Sequence, residues 1–567
     1  MKMFRSSPPA NLFASAMQYH RAGQMADAER LYRQILDSDP YNADALHCLG
    51  IVAYQAGQND VAVDRIRKAI AINSTAQKYY CNLGNALQKQ NRMAEAIKCY
   101  QRAVTLKPDY AVGHYNIGRM FQGLGQLNEA ISAYKQALMH VQNDVDTYYN
   151  LGNAFRDQGN FDEAVSCYER VITLKPDYAE GYNNLAAVFQ EHDKLDNAII
   201  CSERAILLKP DLPEAHNNRG YILQELGCLE ESLECYHMAI HSNTDYAPAH
   251  RNLGIALLLK GDFTSGWKEL EWRDSGSIFD REKSKYKFPR WKGESLHNRS
   301  ILLYDGEDGF GDTLQFARYI SIIADLGART VVLVDRSLAA LLGTIRGVDQ
   351  VIGVGDEIPE CDFHLPLMSA PFVLGTRLDT VPSLVPYISA DPAKVSIWER
   401  KLAHLPGLKV GLVWGGNPRP HDPDAATMDR RRSLHWAQMA PLLRVSGVSF
   451  ISLQKGTPAS QLQHVPPESR PVDYMAEITN FSDTAALVEN LDLVITVDTS
   501  VAHLAGALNK PVWILSRFNG CWRWLLDREN SPWYPSARLF RQPKSGDWQS
   551  VIENVCIELE QLANTAR

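Results

Sequence analysis

The stretch DLVITVDTSVAHLAG, Asp492 to Gly506, sets a carboxylate, two hydroxyls and an imidazole where a short apolar run gives way to helical spacing. Leu493, Val494, Ile495 and Val497 predict a buried strand, and Val501 to Leu508 predict a helix. A helix that starts at the carboxyl end of a parallel strand presents unpaired N–H groups and a positive dipole end. Thr499, Ser500 and His503 are therefore expected to face an anion of the phosphate type. The same residues also fit a plain helix start, with Asp498 or Thr499 as cap and His503 packed beneath. A second such place follows the apolar run Ile301 to Tyr304, where Gly306, Gly309 and Gly311 allow backbone to approach a ligand closely and Asp312 supplies a carboxylate.

Holding these groups takes several elements and more than one core. A chain of 567 residues is expected to form two or more domains. A net charge of -8 gives no basic footprint for DNA or RNA, so nucleic acid is not an expected partner. No apolar run approaches the roughly 18 residues of a membrane span, and MKMFRSSPPA lacks the apolar centre of a signal peptide, so the expected compartment is the cytoplasm. The ten cysteines include no C-x-x-C pair. Seven of them, from Cys48 to Cys235, fall in predicted helices and read as small buried apolar residues.

The first half repeats at a period of 34. Gly50, Gly84, Gly118, Gly152, Gly220 and Gly254 share one register, with Ala186 in the gap, and a small residue from Ala62 to Gly266 follows each twelve places on. Pro40, Pro108, Pro176 and Pro210 share a third register. These registers resemble the tetratricopeptide repeat (TPR), in which small residues let two antiparallel helices meet. About eight units are expected over residues 1–272, forming an α-superhelix whose inner face takes a peptide or a partner helix. Asn82, Asn116, Asn150, Asn184, Asn218 and Asn252 recur two places before the glycine register. Their amides can bond successive peptide groups of an extended chain, or bond neighbouring helices within the stack. Such a ladder resembles that of the protein O-GlcNAc transferases, which implies a polypeptide in the TPR groove.

Residues 273–299 break the repeat and form an expected linker, packed through Trp272, Phe288 and Trp291. Beyond it apolar runs alternate with helical stretches, which predicts parallel sheets with covered faces in two Rossmann-like halves, 300–400 and 401–567. The expected fold class is thus α + α/β. Three motifs carry a further resemblance over about residues 300 to 545: Gly309-Phe310-Gly311-Asp312; Gly411-Leu412-Val413-Trp414 with Arg432-Ser433-Leu434; and Asp498-Thr499-Ser500-Val501-Ala502-His503. These resemble glycosyltransferases of the heptosyltransferase type, with the GT-B architecture.

The resemblance implies a nucleotide-diphosphate-sugar co-substrate on the C-terminal half, an acceptor from the N-terminal half, and no metal or other cofactor. It makes Asp312 the general base for an acceptor hydroxyl, although Asp312 ahead of Thr313-Leu314-Gln315-Phe316 also reads as a helix cap. Arg432, expected ahead of a helix, is the basic residue for the donor diphosphate. Trp414, Lys455, Asp498, Thr499, Ser500 and His503 complete the expected donor site, with His364 a further catalytic candidate on the acceptor side. Asp422-Pro423-Asp424 matches a manganese-binding D-x-D pattern by chance, in a proline-containing loop. Trp522, Arg523, Trp524, Trp533 and Tyr534 are expected to pack the halves together or to stack on a sugar.

The expected function is transfer of a sugar to a protein hydroxyl or amide. Two alternatives stand beside it: a TPR scaffold with an inactive transferase domain, and an enzyme whose acceptor is a glycan.

Overall fold

The computed structural model describes residues 9–274, 286–305, 309–418 and 423–565. The chain forms two compact units, residues 1–192 and 193–567. Gly306 and Asp422 lie outside the described residues, as does the side chain of Asp424.

Among the described residues, sixteen helices run from α1 (Pro9–Arg21) to α16 (Phe263–Leu270); in the first unit α1 to α10 pair in succession as hairpins, and in the second α13 pairs with α14 and α15 with α16. The glycine register explains the pairing. A Cβ at Gly84 would lie 2.6 Å from the ring of Tyr100, and one at Gly118 would lie 2.6 Å from Tyr134. Each glycine thus admits the buried tyrosine of the next helix, and a side chain there would push the hairpin apart. The asparagine register also works inside the stack. Asn82 bonds His47 at 2.8 Å, Asn116 donates to Cys81 Sγ at 3.4 Å, Asn150 to the Tyr115 hydroxyl at 3.1 Å, and Asn252 to Asn217 at 3.0 Å. Each of these partners stands 35 residues earlier, on the equivalent helix of the preceding repeat. Asn184 likewise donates to Asn153, at 2.9 Å. Of the two readings of the ladder, the structure assigns these amide N–H groups to neighbouring helices.

The repeat pattern ends near residue 272, yet the units divide at 192 because the last repeats share a core with the α/β region. Leu258, Leu259, Phe263, Trp267 and Leu270 are buried in one cluster with Phe316, Trp522 and Trp533. The Trp267 indole N–H also donates to the Thr376 carbonyl at 3.1 Å.

In the second unit, two parallel sheets succeed one another. The first has the order β3 (Gln350–Gly353), β2 (Arg329–Val334), β1 (Ser300–Tyr304), β4 (Phe363–Pro366). The second has the order β10 (Ala537–Arg541), β9 (Val512–Ser516), β8 (Leu493–Val497), β5 (Leu408–Val413), β6 (Val448–Ser452), β7 (Val472–Asp473). Alternate residues of β5 and β8 enter different cores: Leu412 and Ile495 one, Val413 and Val494 the other. Apolar side chains on both faces are what a parallel sheet covered on both sides demands. In each sheet the strand order reverses beside a central strand, between β1 and β4 and between β5 and β8. Ligands bind at such reversals in open α/β sheets.

Four helices border these reversals or the turns beside them: α17 (Phe310–Phe316), α18 (Arg318–Asp325), α22 (Pro423–Arg432) and α25 (Ser500–Ala507). Those between and after them are α19 (Arg336–Leu342), α20 (Ala370–Val373), α21 (Pro392–Leu402), α23 (Trp436–Met439), α24 (Phe481–Glu489) and α26 (Trp548–Thr565). The helical stretch after Gly309 is broken at Ala317 into α17 and α18. Arg430 to Arg432 stand ahead of a helix, α23, as expected, and also form the last turn of α22, a favourable place for cations beside exposed carbonyls.

Candidate functional site

Helix α25 begins where β8 ends. Thr499 occupies its N-cap position in extended conformation, but no side chain caps the helix. The Thr499 hydroxyl instead meets that of Thr496 at 3.0 Å. Asp498, Thr499 and Ser500 are all half-buried at the opening. His503, one turn in, is buried, stacked on Trp524 at 5.2 Å between ring centroids, with Nδ1 3.0 Å from the Tyr534 hydroxyl. With Tyr534 donating, Nε2 carries the ring proton and points toward Asp498 Oδ1, 4.0 Å away.

Helix α17, from the other sheet, packs directly on α25. Gly311 makes that contact possible, since a Cβ there would stand 2.9 Å from His503 Cδ2 and 3.7 Å from Ser500 Cα. Gly309 is the N-cap residue of α17, so Asp312 is the third residue of the helix and not its cap. Its carboxylate accepts from Arg523 Nη2, which reaches it from the loop after β9. Arg523 Nε donates to Gln315 Oε1 at 2.9 Å and Nη1 to Cys521 Sγ at 3.0 Å, while the guanidinium lies 4.4 Å from the centre of the Trp522 ring.

The turn after β5 closes the remaining side. Gln454 Oε1 accepts from the N–H groups of Trp414 and Gly415, both at 2.9 Å, and its Nε2 donates to the Gly415 carbonyl at 2.9 Å. Arg432 lies against this turn, its Nε and Nη2 on Asp429 Oδ1 at 3.1 and 3.0 Å. A Cβ on Gly416 would fall 1.9 Å from that oxygen and 2.5 Å from Arg432 Nη2, so only glycine admits the pair. Beneath lies Arg318, buried, donating to the carbonyls of Gln315, Pro382 and Trp533 and ringed by Tyr387, Trp533 and Tyr534. The place where the halves meet therefore combines an uncapped helix N-terminus with three guanidiniums, a setting that favours an anion.

The structure brings together Gly309, Gly311, Asp312, Asp498, Thr499, Ser500 and His503, with Arg432 at the neighbouring turn. It separates three other expected residues. The Trp414 indole is fully buried on Trp436, ring centroids 4.9 Å apart, within the core on one sheet face, so only its backbone borders the turn. Lys455 is exposed, with its ammonium on the Ile478 carbonyl. His364 sits among Tyr286, Phe288 and Tyr304 under the linker segment, bonded through Nδ1 to Tyr304 at 3.3 Å. No bond joins it to Asp312 among the described residues, and packing accounts for it.

Sequence reasoning missed the partners: Gln454, Asp429, Gly416, Arg318 and the pairing of Arg523 with Asp312. Only the run Cys521-Trp522-Arg523-Trp524, an arginine among aromatics in a loop, carried a signal. Among the described residues no group of three or more His, Cys, Asp or Glu is placed to hold a metal ion.

Burial lowers the imidazoles of His47, His364 and His503 from about 6.5 to about 4. For His503, Asp498 opposes that shift while Arg318 and Arg432 add to it. Between those values the unfolded chain takes up protons that the folded chain refuses. The stability these groups contribute is whole above pH 6.5 and is lost as pH falls to 4, by up to about 1.4 kcal/mol per histidine and pH unit. Calorimetry at pH 7.5 and pH 5.0 is expected to show a clearly lower Tm at the acid value; equal Tm values would mean that these histidines are solvated.

Against known proteins, the family described as glycosyltransferase family 9 (heptosyltransferase) matches residues 429–515. Tetratricopeptide repeat families match residues 13–77, 78–110, 118–155 and 152–193. Protein FlbA of Caulobacter vibrioides is 27% identical over 336 residues, 54% of this chain and 54% of FlbA, so the chain spans about half the length of that curated relative. Tetratricopeptide repeat protein 7B of Homo sapiens is 32% identical over 85 residues, 15% of this chain and 10% of that protein. Among solved structures, that of MamA matches 29% of this chain and 96% of its own at 26% identity, with a TM-score of 0.27. Among the described residues, no helix is long and apolar enough to cross a membrane.

Proposed function

From a chain that joins N-terminal tetratricopeptide repeats to a family 9 glycosyltransferase (heptosyltransferase) domain, we propose a metal-independent enzyme of GT-B architecture that moves a sugar from a nucleoside-diphosphate donor to a polypeptide recruited by the repeats. The observation that carries this reading is the packing of α17, which bears Asp312 next to Gly311, on the uncapped start of α25. The diphosphate lies on the N–H groups of α25 with Arg432 beside it, and the acceptor enters past Asp312. As the acceptor oxygen attacks the anomeric carbon, its proton passes to the Asp312 carboxylate. The bond from that carbon to the diphosphate oxygen breaks, and the nucleoside diphosphate departs with the electron pair. The helix dipole and the guanidinium stabilise the growing charge. His503, held neutral by burial, offers Nε2–H as a donor without adding charge.

The engaged asparagine amides move peptide recognition away from a simple ladder of side-chain donors. Repeats of this kind bind partners through their concave surface, and that surface is the proposed route of a polypeptide acceptor.

Ser500→Asp places a like charge at the diphosphate, and donor binding is expected to weaken by at least about 10-fold with folding intact. Calorimetry with a panel of nucleotide sugars reads this directly, and an unchanged affinity would take α25 out of the site. EDTA is expected to leave turnover intact; loss restored by Mn²⁺ would assign a metal role to Asp422 and Asp424. A mass shift on a co-expressed polypeptide supports the protein acceptor, whereas a shift found only on glycans replaces it. Absence of both donor hydrolysis and transfer would leave the scaffold reading.

A further inference from the structure

We propose that Arg523 is a diphosphate ligand that Asp312 holds in reserve, so that the donor displaces the carboxylate from the guanidinium and frees the base in the same exchange. The inference rests on the transferase reading and deepens it. The guanidinium reaches across from one half of the domain to the first turn of α17 in the other. Among the described acceptors around it, Gln315 Oε1 and Cys521 Sγ are neutral and Asp312 is anionic.

That pairing is unsuited to catalysis as it stands. A carboxylate bonded to a guanidinium is stabilised in its ionised form and has part of its lone-pair surface covered, both of which make it a weaker proton acceptor. A base at this position needs the arginine to leave. The place for it to go is adjacent, because Gly311 sets Asp312 beside the start of α25, the expected seat of the diphosphate. A diphosphate carries more negative charge than one carboxylate and offers paired oxygens to the planar fork, so it wins the competition for the guanidinium.

The arginine is mounted for such an exchange. Its guanidinium lies over the face of Trp522, which is itself locked against Trp267, Phe316 and Trp533 at centroid distances of 5.2, 6.2 and 6.2 Å. The ring is therefore a fixed platform, over which the planar fork can turn in its own plane and keep the contact. Both ends of the pair are partly open, with 15% and 21% of the side-chain surfaces exposed. The guanidinium is thus within reach of an entering ligand, which replaces one charge-assisted bond on the fork by another.

The exchange has two opposite consequences. Removing the competing charge with Asp312→Asn is expected to tighten diphosphate binding about 5-fold, since apparent affinity rises with the fraction of protein whose arginine is available. Removing the ligand with Arg523→Gln is expected to weaken it about 10-fold, and the double variant is expected to bind as weakly as Arg523→Gln alone. The experiment is calorimetric titration of the full chain and these variants with inorganic pyrophosphate, ADP, CDP, GDP and UDP, each fold checked by thermal unfolding. Should Arg523→Gln unfold, Arg523→Lys keeps a charge without the fork and is expected to bind less tightly than the wild type. Binding by Asp312→Asn that equals or falls below that of the wild type overturns the exchange and leaves the pair a static tether between the halves. That outcome is distinct from failure of the transferase reading, in which the wild type itself binds none of the five probes and the exchange falls with it.

Discussion

Asp312→Asn is expected to cut sugar transfer by at least ~10²-fold while the protein stays folded and binds donor more tightly than the wild type. The change keeps the size of the side chain and removes its basicity. Because Gly309 rather than Asp312 is the N-cap residue of α17, no helix cap is lost. The bond to Arg523 becomes one between an amide oxygen and a guanidinium, which is weaker and keeps the contact between the halves. Single-turnover assays with the best donor of the panel separate chemistry from binding. Full activity in this variant would place the base elsewhere. His364 is then a poor substitute, because its ring is enclosed by Tyr286, Phe288 and Tyr304.

Glu225→Gln is expected to destabilise the second unit by about 3–5 kcal/mol, the cost of leaving buried charge without its partner. Glu225 ends α13 (Pro213–Glu225) in the repeats and accepts from Arg431 at 2.8 Å and from Arg517 at 2.9 Å. Only 7% of the glutamate side chain is exposed, with 11% and 13% for the two arginines. Burial opposes the charge of both guanidiniums, but Glu225 and Tyr221 together, joined at Arg431 by Asp193 and at Arg517 by Cys521, outweigh it, so both sit above the ordinary arginine range. Arg431 precedes Arg432 on α22, and Arg517 opens the loop that carries Arg523. The same substitution is therefore expected to weaken donor binding, although Glu225 lies in a repeat. Differential scanning calorimetry gives the stability, and a Tm within one degree of the wild type would make the network a solvated one.

The sequence by itself determined the architecture and one side of the site. A 34-residue glycine register has a local cause, the close approach of the next helix, through a tyrosine at Gly84, Gly118, Gly152 and Gly220, Ile66 at Gly50 and backbone at Gly254. The strands β1, β2, β5, β8 and β9 were legible because both faces of a parallel sheet must be apolar. β4, β7 and β10 were not: Phe363–Pro366 carries a histidine and a proline, Val472–Asp473 is two residues long, and Ala537–Arg541 is interrupted by Arg538 and Arg541. Asp498 to Ser500 and Asp312 were recognisable because a strand-to-helix break is where backbone donors are left open.

Tertiary structure decided the pairings. Asp312 and Arg523 are 211 residues apart, and Arg517 and Glu225 are 292 apart, distances over which no periodicity links one residue to another. It decided that Arg432 lies against the turn after β5 while Arg431 turns into the repeats, a choice made by helical rotation and by where Glu225 stands. It also decided that the asparagines hold their own stack. Their amides meet partners only once successive repeats are in register, and that register is a property of packed helices.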